Sequence, residues 1–152
     1  ETLTKTMSRE DIDLCYLTAG EAMARCLAGE LSPVDLMKAV IARAEAVNRK
    51  LNAFTHTFFD RALEQARAAE SRYVRRGGEV RPLEGIPVAI KDYHPVQGEI
   101  TTFGSNVFAS FRPDYTAATV QRLLDAQKGD EKAMIFVPQE KKSGKARVFK
   151  DW

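Results

Sequence analysis

A chain of 152 residues that is 44% hydrophobic and 29% charged has the composition of a soluble folded domain, which excludes a disordered chain and a membrane-spanning one. Its formal net charge of +2 is too small to indicate nucleic-acid binding, and the positive excess lies from Lys128 onward, where seven Lys or Arg stand against four Asp or Glu. Because no apolar run approaches a membrane span and no signal peptide precedes the first predicted helix, we expect a cytoplasmic protein without membrane contact.

The first predicted helix begins after Thr18, whose side chain is placed to cap it. Glu21 completes a capping-box pattern, since it stands three residues after the cap. Gly29 is a typical stop after Ala28. The spacing therefore predicts a helix over residues 19–28.

The second predicted helix begins after Ser32, with Pro33 in its first position and Asp35 in its first turn. Apolar residues recur along it at spacings of three and four, so one face must find a partner. That face predicts a core or dimer contact, and the amino-terminal helices are the expected surface for a homo-oligomer or a partner chain. Its members are Val34, Met37, Ile41, Ala44, Val47 and Leu51.

Further elements follow in alternation. Residues 52–59 predict a strand, and Asp60 opens a third helix that ends at Gly77 and Gly78. Beyond these, residues 92–114 predict a loop with glycine and proline breaks, and residues 133–138 predict a short strand. A fourth helix begins after Asp114 or Thr116, with Ala117, Val120 and Leu124 on one face. The pattern predicts an α/β protein, with amino-terminal helices packed on a partial mixed β-sheet.

Lys91 stands at the end of an apolar run, residues 83–90, that is too short for an amphipathic helix and predicts a buried strand. Ligand sites in open α/β sheets gather at the carboxyl ends of strands. A buried lysine there could lose its proton near neutral pH, because desolvation disfavours the ammonium form. The alternative is that its stem packs while its head reaches water or pairs with Asp92.

The cysteines and histidines offer little chemistry. Cys15 and Cys26 lack a CxxC arrangement and predict reduced core thiols. His56 and His94 are too few for a metal site, so we expect neither metal nor cofactor. His94 stands three residues after Lys91 and either lines the same crevice or is a bystander.

The residues around Lys91 match a longer pattern. GIPVAIKD is followed by a short loop and then by TTFGS, which resembles the amidase signature family, whose members typically read GIPxxxKDxxxxxGxxTTxGS. The resemblance covers residues 12–126 and implies the start of the amidase signature α/β/α fold, of amidase or amidotransferase A-subunit type. The matching residues are Gly85, Ile86, Pro87, Lys91, Asp92, Gly98, Thr101, Thr102, Gly104 and Ser105.

This resemblance implies a Ser-Ser-Lys triad that hydrolyses or transfers small-molecule amides without metal or histidine. The lysine that matches is Lys91, which would take a proton from a bridging serine as a second serine attacks the carbonyl. In the family both serines lie downstream in glycine-rich segments, and no such segment follows here. Ser143 has basic flanks instead, and for Ser105 a turn or capping role is the better interpretation.

Three segments are therefore expected: an extension at residues 1–11, an amidase-like region at 12–126, and a divergent basic segment at 127–152. One hypothesis is a truncated amide hydrolase whose catalysis requires serines from elsewhere. The alternatives are a noncatalytic interaction protein derived from an amidase and an amidotransferase-type subunit. The basic segment is interpreted as solvated, with weak phosphate or anionic-membrane binding as the alternative.

Overall fold

The computed structural model describes residues 7–75, 80–128 and 137–138. Within these ranges the chain is helix-rich with little strand, and residues 80–117 consist of loops and turns, a β-bridge at Ala89 and one 3-10 turn. The elements in chain order are α1 (Arg9–Leu14), α2 (Ala19–Ala28), α3 (Pro33–Leu51), β1 (Phe54–His56), α4 (Phe59–Val74), a 3-10 turn (Asn106–Phe108), α5 (Ala118–Lys128) and β2 (Val137–Pro138).

The predicted starts of α2 and α3 are confirmed. Thr18 and Glu21 form a reciprocal capping box at α2, and Gly29 ends that helix with a left-handed φ of 75°. The Ser32 hydroxyl accepts hydrogen bonds from the first turn of α3 and donates to Glu70 on α4 at 2.5 Å. This cap therefore also joins α3 to α4.

The strand predicted at residues 52–59 is shorter than expected. β1 keeps only three residues, because the backbone turns into α4 at Phe58 and the helix begins at Phe59, one residue before Asp60. β2 pairs with β1 in antiparallel register, with Phe54 opposite Pro138. The rest of the strand predicted at residues 133–138 lies outside the described residues, as do Gly77 and Gly78, and α4 ends earlier, at Val74.

The strand predicted at residues 83–90 is wrong for the described residues. Residues 82–85 form a turn, and only Ala89 makes a β-bridge. Ile86 and Ile90 are buried while Ala89 and Lys91 are exposed, so the period-two pattern holds. A strand needs a neighbour along its whole length to take up its backbone hydrogen bonds, and the described part of the chain supplies no ladder beside this segment.

The core between α3 and α4 uses the apolar face predicted for α3. Val34, Met37 and Ile41 pack against Ala62 and Ala66 of α4, with small side chains letting the two helices approach closely. The predicted face is core through Ala44. Beyond Ala44 the face is less buried, since Val47 is half-buried and Leu51, the last residue of α3, is exposed.

A second core cluster joins the Lys91 segment to α5. Ile90 and Val96 pack on Val120 and Leu124, which confirms the predicted face of α5. Burial of each such side chain contributes roughly 1.5–3 kcal/mol. Lys91 therefore follows a residue anchored in the core.

Among the glycines that the structure describes, Gly85 is expected to be the least tolerant of substitution. Its φ is +72°, and an added Cβ would lie 2.9 Å from Pro33 Cβ and 3.2 Å from Ala69 Cβ. Gly85→Ala should lower the free energy of unfolding by about 2–4 kcal/mol, because left-handed strain and overpacking add. Urea denaturation followed by circular dichroism measures this.

Gly98→Ala is the matched control, because Gly98 has a similar φ of +78° but open space around its Cβ position. It should cost only about 1 kcal/mol. If both variants lost the same free energy of unfolding, the close approach of Gly85 to α3 and α4 would not contribute to the cost of its substitution.

Candidate functional site

Lys91 lies on the surface between two buried neighbours, Ile90 and Asp92. Its carbonyl oxygen accepts a hydrogen bond from the backbone N–H of His94 at 2.9 Å, which turns the chain immediately after the lysine. The lysine side chain is exposed, so the structure places it at the surface rather than in a buried pocket. The backbone of Lys91 is held by its buried neighbours, Ile90 and Asp92.

Asp92 ties the residue after the lysine to the TTFGS segment. Its carboxylate is 4% exposed and accepts hydrogen bonds from both the backbone N–H (2.7 Å) and the hydroxyl of Thr102. Its carbonyl oxygen also accepts from the N–H of Phe103 at 3.2 Å. We call this arrangement the Asp92–Thr102 clasp. It closes the intervening loop at its base, directly beside Lys91.

The loop closed by the clasp is held against the segment before α5. Gly98 N–H donates to the Pro113 carbonyl at 2.9 Å, and Thr101 N–H donates to the Phe111 carbonyl at 3.0 Å. Ala117 N–H donates to the Pro95 carbonyl at 2.9 Å. Backbone groups that no helix or sheet satisfies are paired in this way, so the loop is a fixed support for Lys91.

The TTFGS residues make hydrogen bonds that hold the conformation of the loop. Thr101 and Thr102 are buried, and Gly104 N–H donates to the Thr102 hydroxyl at 3.1 Å. The Ser105 hydroxyl accepts from Val107 N–H at 3.3 Å and so caps the 3-10 turn. The capping role predicted for Ser105 is confirmed. Ser143 lies outside the described residues.

The GIP end of the motif is fastened to α5. Leu83 N–H donates to the Ala126 carbonyl at 3.0 Å, and the buried Gln127 amide donates to the Ile86 carbonyl at 2.5 Å. Gln127 was missed as a contact of the motif. The available signal was spacing, because Gln127 follows Leu124 by three residues on the buried face of α5.

A second buried carboxylate stands at the start of the motif. Glu84 is almost fully buried and pairs with Arg72 of α4 at 3.2 Å. The Tyr73 hydroxyl donates to the Glu84 carbonyl at 3.0 Å, and burial raises the pKa of Tyr73 to about 12. The phenol therefore stays a hydrogen-bond donor at neutral pH, and this end of the motif is held by α4.

Three further residues considered from the sequence are Cys15, Cys26 and His94. Burial raises the pKa of the Cys15 and Cys26 thiols, which keeps both protonated, and both cysteines are free. His94 is exposed, and its ring contacts Tyr93 edge to face. Among the described residues no three His, Cys, Asp or Glu side chains group as metal ligands would. None of the helices described there is long and apolar enough to cross a membrane.

Comparison with known proteins identifies the class. The family model described as Amidase matches residues 35–128. The chain belongs to this family, the amidase signature enzymes and A-type amidotransferase subunits that act on amide C–N bonds, and it represents the amino-terminal portion of the family.

Curated relatives are amidotransferase subunits. The A subunit of Glutamyl-tRNA(Gln) amidotransferase from Chloroflexus aggregans is 45% identical over 114 residues, covering 75% of this chain and 23% of the relative. The protein of that name from Streptomyces coelicolor is 40% identical, with the same coverage. The chain thus spans about a quarter of the length of the curated relatives it matches.

Solved structures confirm the α/β fold class. Peptide amidase from Stenotrophomonas maltophilia superposes with a TM-score of 0.66 at 32% identity, over 80% of this chain and 24% of that chain. A fatty acid amide hydrolase superposes with a TM-score of 0.75 at 26% identity, over 88% and 22%. The helices and the motif loop therefore take the arrangement of an amidase signature enzyme.

Proposed function

We propose that this chain supplies the lysine of a Ser-Ser-Lys relay for amide C–N bond cleavage, and that the lysine is Lys91. The observation that carries the proposal is the position of Lys91 within the motif at residues 85–105, of which ten residues match, beside the Asp92–Thr102 clasp. A base must stand at a fixed place to meet its proton donor, and the clasp fixes the backbone on the carboxyl side of Lys91.

The proposed chemistry is a proton relay. The neutral amine of Lys91 accepts a proton from the bridging serine, which accepts the proton of the nucleophilic serine as that oxygen attacks the amide carbonyl. The proton returns through the same groups to the departing nitrogen as the C–N bond breaks. Water then hydrolyses the acyl-enzyme and frees the nucleophile.

The two serines are proposed to come from polypeptide other than these 152 residues. Ser8, Ser32 and Ser105 cap helical turns, and Ser71 donates to the carbonyl of the preceding turn of α4. None of these four, and not Ser110 in the sequence FASFR, stands in a glycine-rich loop whose N–H groups could form an oxyanion hole. The isolated chain is therefore proposed to be a truncated, inactive form with respect to catalysis.

A serine-reactive phosphonate tests this directly on the purified chain. We expect no covalent adduct by intact-mass spectrometry, because adduct formation needs a serine that has both an activating base and an oxyanion hole. The C. aggregans relative, treated in parallel, is the positive control. A stoichiometric adduct on the isolated chain would contradict the proposal.

Amidotransferase-type chemistry is the second candidate, favoured by the 45% identity to the C. aggregans relative compared with 32% to the peptide amidase. A chimera in which this chain replaces the matched segment of the C. aggregans relative tests whether this chain can serve in an amidotransferase. Ammonia release from glutamine by the chimera supports the amidotransferase type. A folded chimera that releases none favours the noncatalytic interaction protein.

A further inference from the structure

Four aromatic rings gather on the surface next to the Lys91 loop. Phe103 contacts Tyr93 at 6.0 Å, Phe108 at 5.6 Å and Phe111 at 6.2 Å between ring centroids. Phe108 and Phe111 also contact each other at 5.8 Å. We call these rings, with Val107 between them in sequence, the aromatic patch.

The patch is exposed although its rings pack together. The four aromatic residues are between 36% and 65% exposed to solvent, and Val107 is 85% exposed. The core beneath the loop is built from other residues, Ile90, Val96, Val120 and Leu124. A contiguous exposed group of large apolar side chains marks an interaction surface more often than scattered single ones do.

The backbone holds the patch outward. Phe103 has a φ of +51°, a left-handed conformation that an aromatic residue rarely adopts. Its N–H is bonded to the Asp92 carbonyl, and the following Gly104 N–H is bonded to the Thr102 hydroxyl. The central ring of the patch is therefore set by the clasp that also positions Lys91.

We infer that the aromatic patch is the docking surface for the polypeptide that carries the two serines. This inference rests on the proposed function. A serine that exchanges a proton with Lys91 must come within about 3 Å of its Nζ atom, so its polypeptide must cover the surface around the lysine. The patch begins at Tyr93, two residues away, and is joined to Asp92 through the Phe103 N–H.

The size of the relatives supports this occupant. The region shared with the peptide amidase is 24% of that chain, so an amidase fold contains roughly three times as much further polypeptide to pack against this region. Ala89 and Lys91, which precede the patch in sequence, are also exposed. A second copy of this chain would bring a second lysine and no serine-bearing loop.

The test is co-production of the tagged 152-residue chain with the untagged remainder of the C. aggregans relative. We expect the two to co-purify. Val107→Asp should reduce the recovered partner roughly tenfold or more, because it places a charge within the proposed apolar contact. Its circular dichroism should match that of the parent chain, since Val107 makes little contact in the chain itself.

Leu27→Asp is the matched control, since Leu27 is 63% exposed on α2 and outside the patch. It should leave co-purification unchanged. The inference would be overturned if Val107→Asp recovered as much partner as the parent chain does. It would also be overturned if the parent chain recovered no partner. A dimer of the isolated chain, seen by light scattering, that Val107→Asp dissociates would overturn it too.

Lys91→Ala separates the inference from the proposed function. It should leave co-purification unchanged while removing amide hydrolysis by the pair. Retained hydrolysis would contradict the role of Lys91 and leave the docking surface standing. Lost co-purification in this variant would show that the lysine, rather than the patch, holds the partner.

Discussion

Replacing Lys91 by alanine in the chimera with the C. aggregans relative is expected to lower kcat by roughly 10³-fold or more. Without the amine, the bridging serine has no group to accept its proton, and the nucleophile attacks as a neutral hydroxyl. KM should change little, because the lysine acts on protons in the transition state and not on substrate binding. Steady-state ammonia release measures both constants.

Two further variants show whether the fall in kcat comes from the loss of a proton-accepting amine. Lys91→Arg keeps a positive charge and hydrogen-bond donors but cannot lose its proton, so it should be as inactive as the alanine variant. Lys38→Ala removes an exposed lysine on α3 whose contact is a surface pair with Asp35, and it should keep full activity. A Lys91→Arg chimera with near-parental turnover would contradict a proton-accepting role.

Asp92→Ala is expected to lower the free energy of unfolding of the chain by about 2–4 kcal/mol. The carboxylate is buried and accepts from two donors of Thr102. Its loss leaves the Thr102 N–H and hydroxyl buried without this acceptor. The loop should then open at its base, which chemical denaturation and amide hydrogen exchange at residues 92–104 would report.

Asp92→Asn and Thr102→Val refine this prediction. Asparagine keeps one oxygen as an acceptor, so a loss of about 1–2 kcal/mol is expected. Valine removes only the hydroxyl donor, and the double variant with Asp92→Ala should show coupling of about 1 kcal/mol or more. Additive losses would mean that the two side chains do not act together in solution.

Local signals in the sequence predict much of the helical layer. The caps at Thr18 and Ser32 and the stop at Gly29 depend on hydrogen bonds within a few residues, and each is found where expected. The apolar face of α3 and that of α5 follow from helical periodicity alone. These features need no knowledge of distant parts of the chain. α1 was not predicted, although its capping box of Ser8 and Asp11 is a local signal.

Other features depend on contacts between distant segments. The strand expected before Lys91 required a neighbouring strand, and only Ala89 makes a bridge in the described residues. The Asp92–Thr102 clasp spans ten residues, and no periodicity indicates which donors a buried carboxylate will meet.

The position of Lys91 was predictable from the motif, but its surroundings were not. The apolar run is compatible with a buried lysine and with one whose head reaches water, and alternation places Lys91 on the exposed side and Ile90 on the core side. The same alternation leaves the side chain of Ala89 exposed, and the aromatic patch begins at Tyr93, two residues after Lys91. Burial of the amine then requires a partner surface, such as the one proposed to dock on the aromatic patch.

The most direct measurement of the central claim is the site of phosphonate labelling in the co-produced pair. Peptide mass spectrometry should find the adduct on a serine of the relative's portion and on no serine of this chain. The adduct should disappear when Lys91 is replaced by alanine. An adduct on Ser105 or Ser143, or labelling that survives Lys91→Ala, would contradict the account that this chain supplies the lysine and its partner the serines.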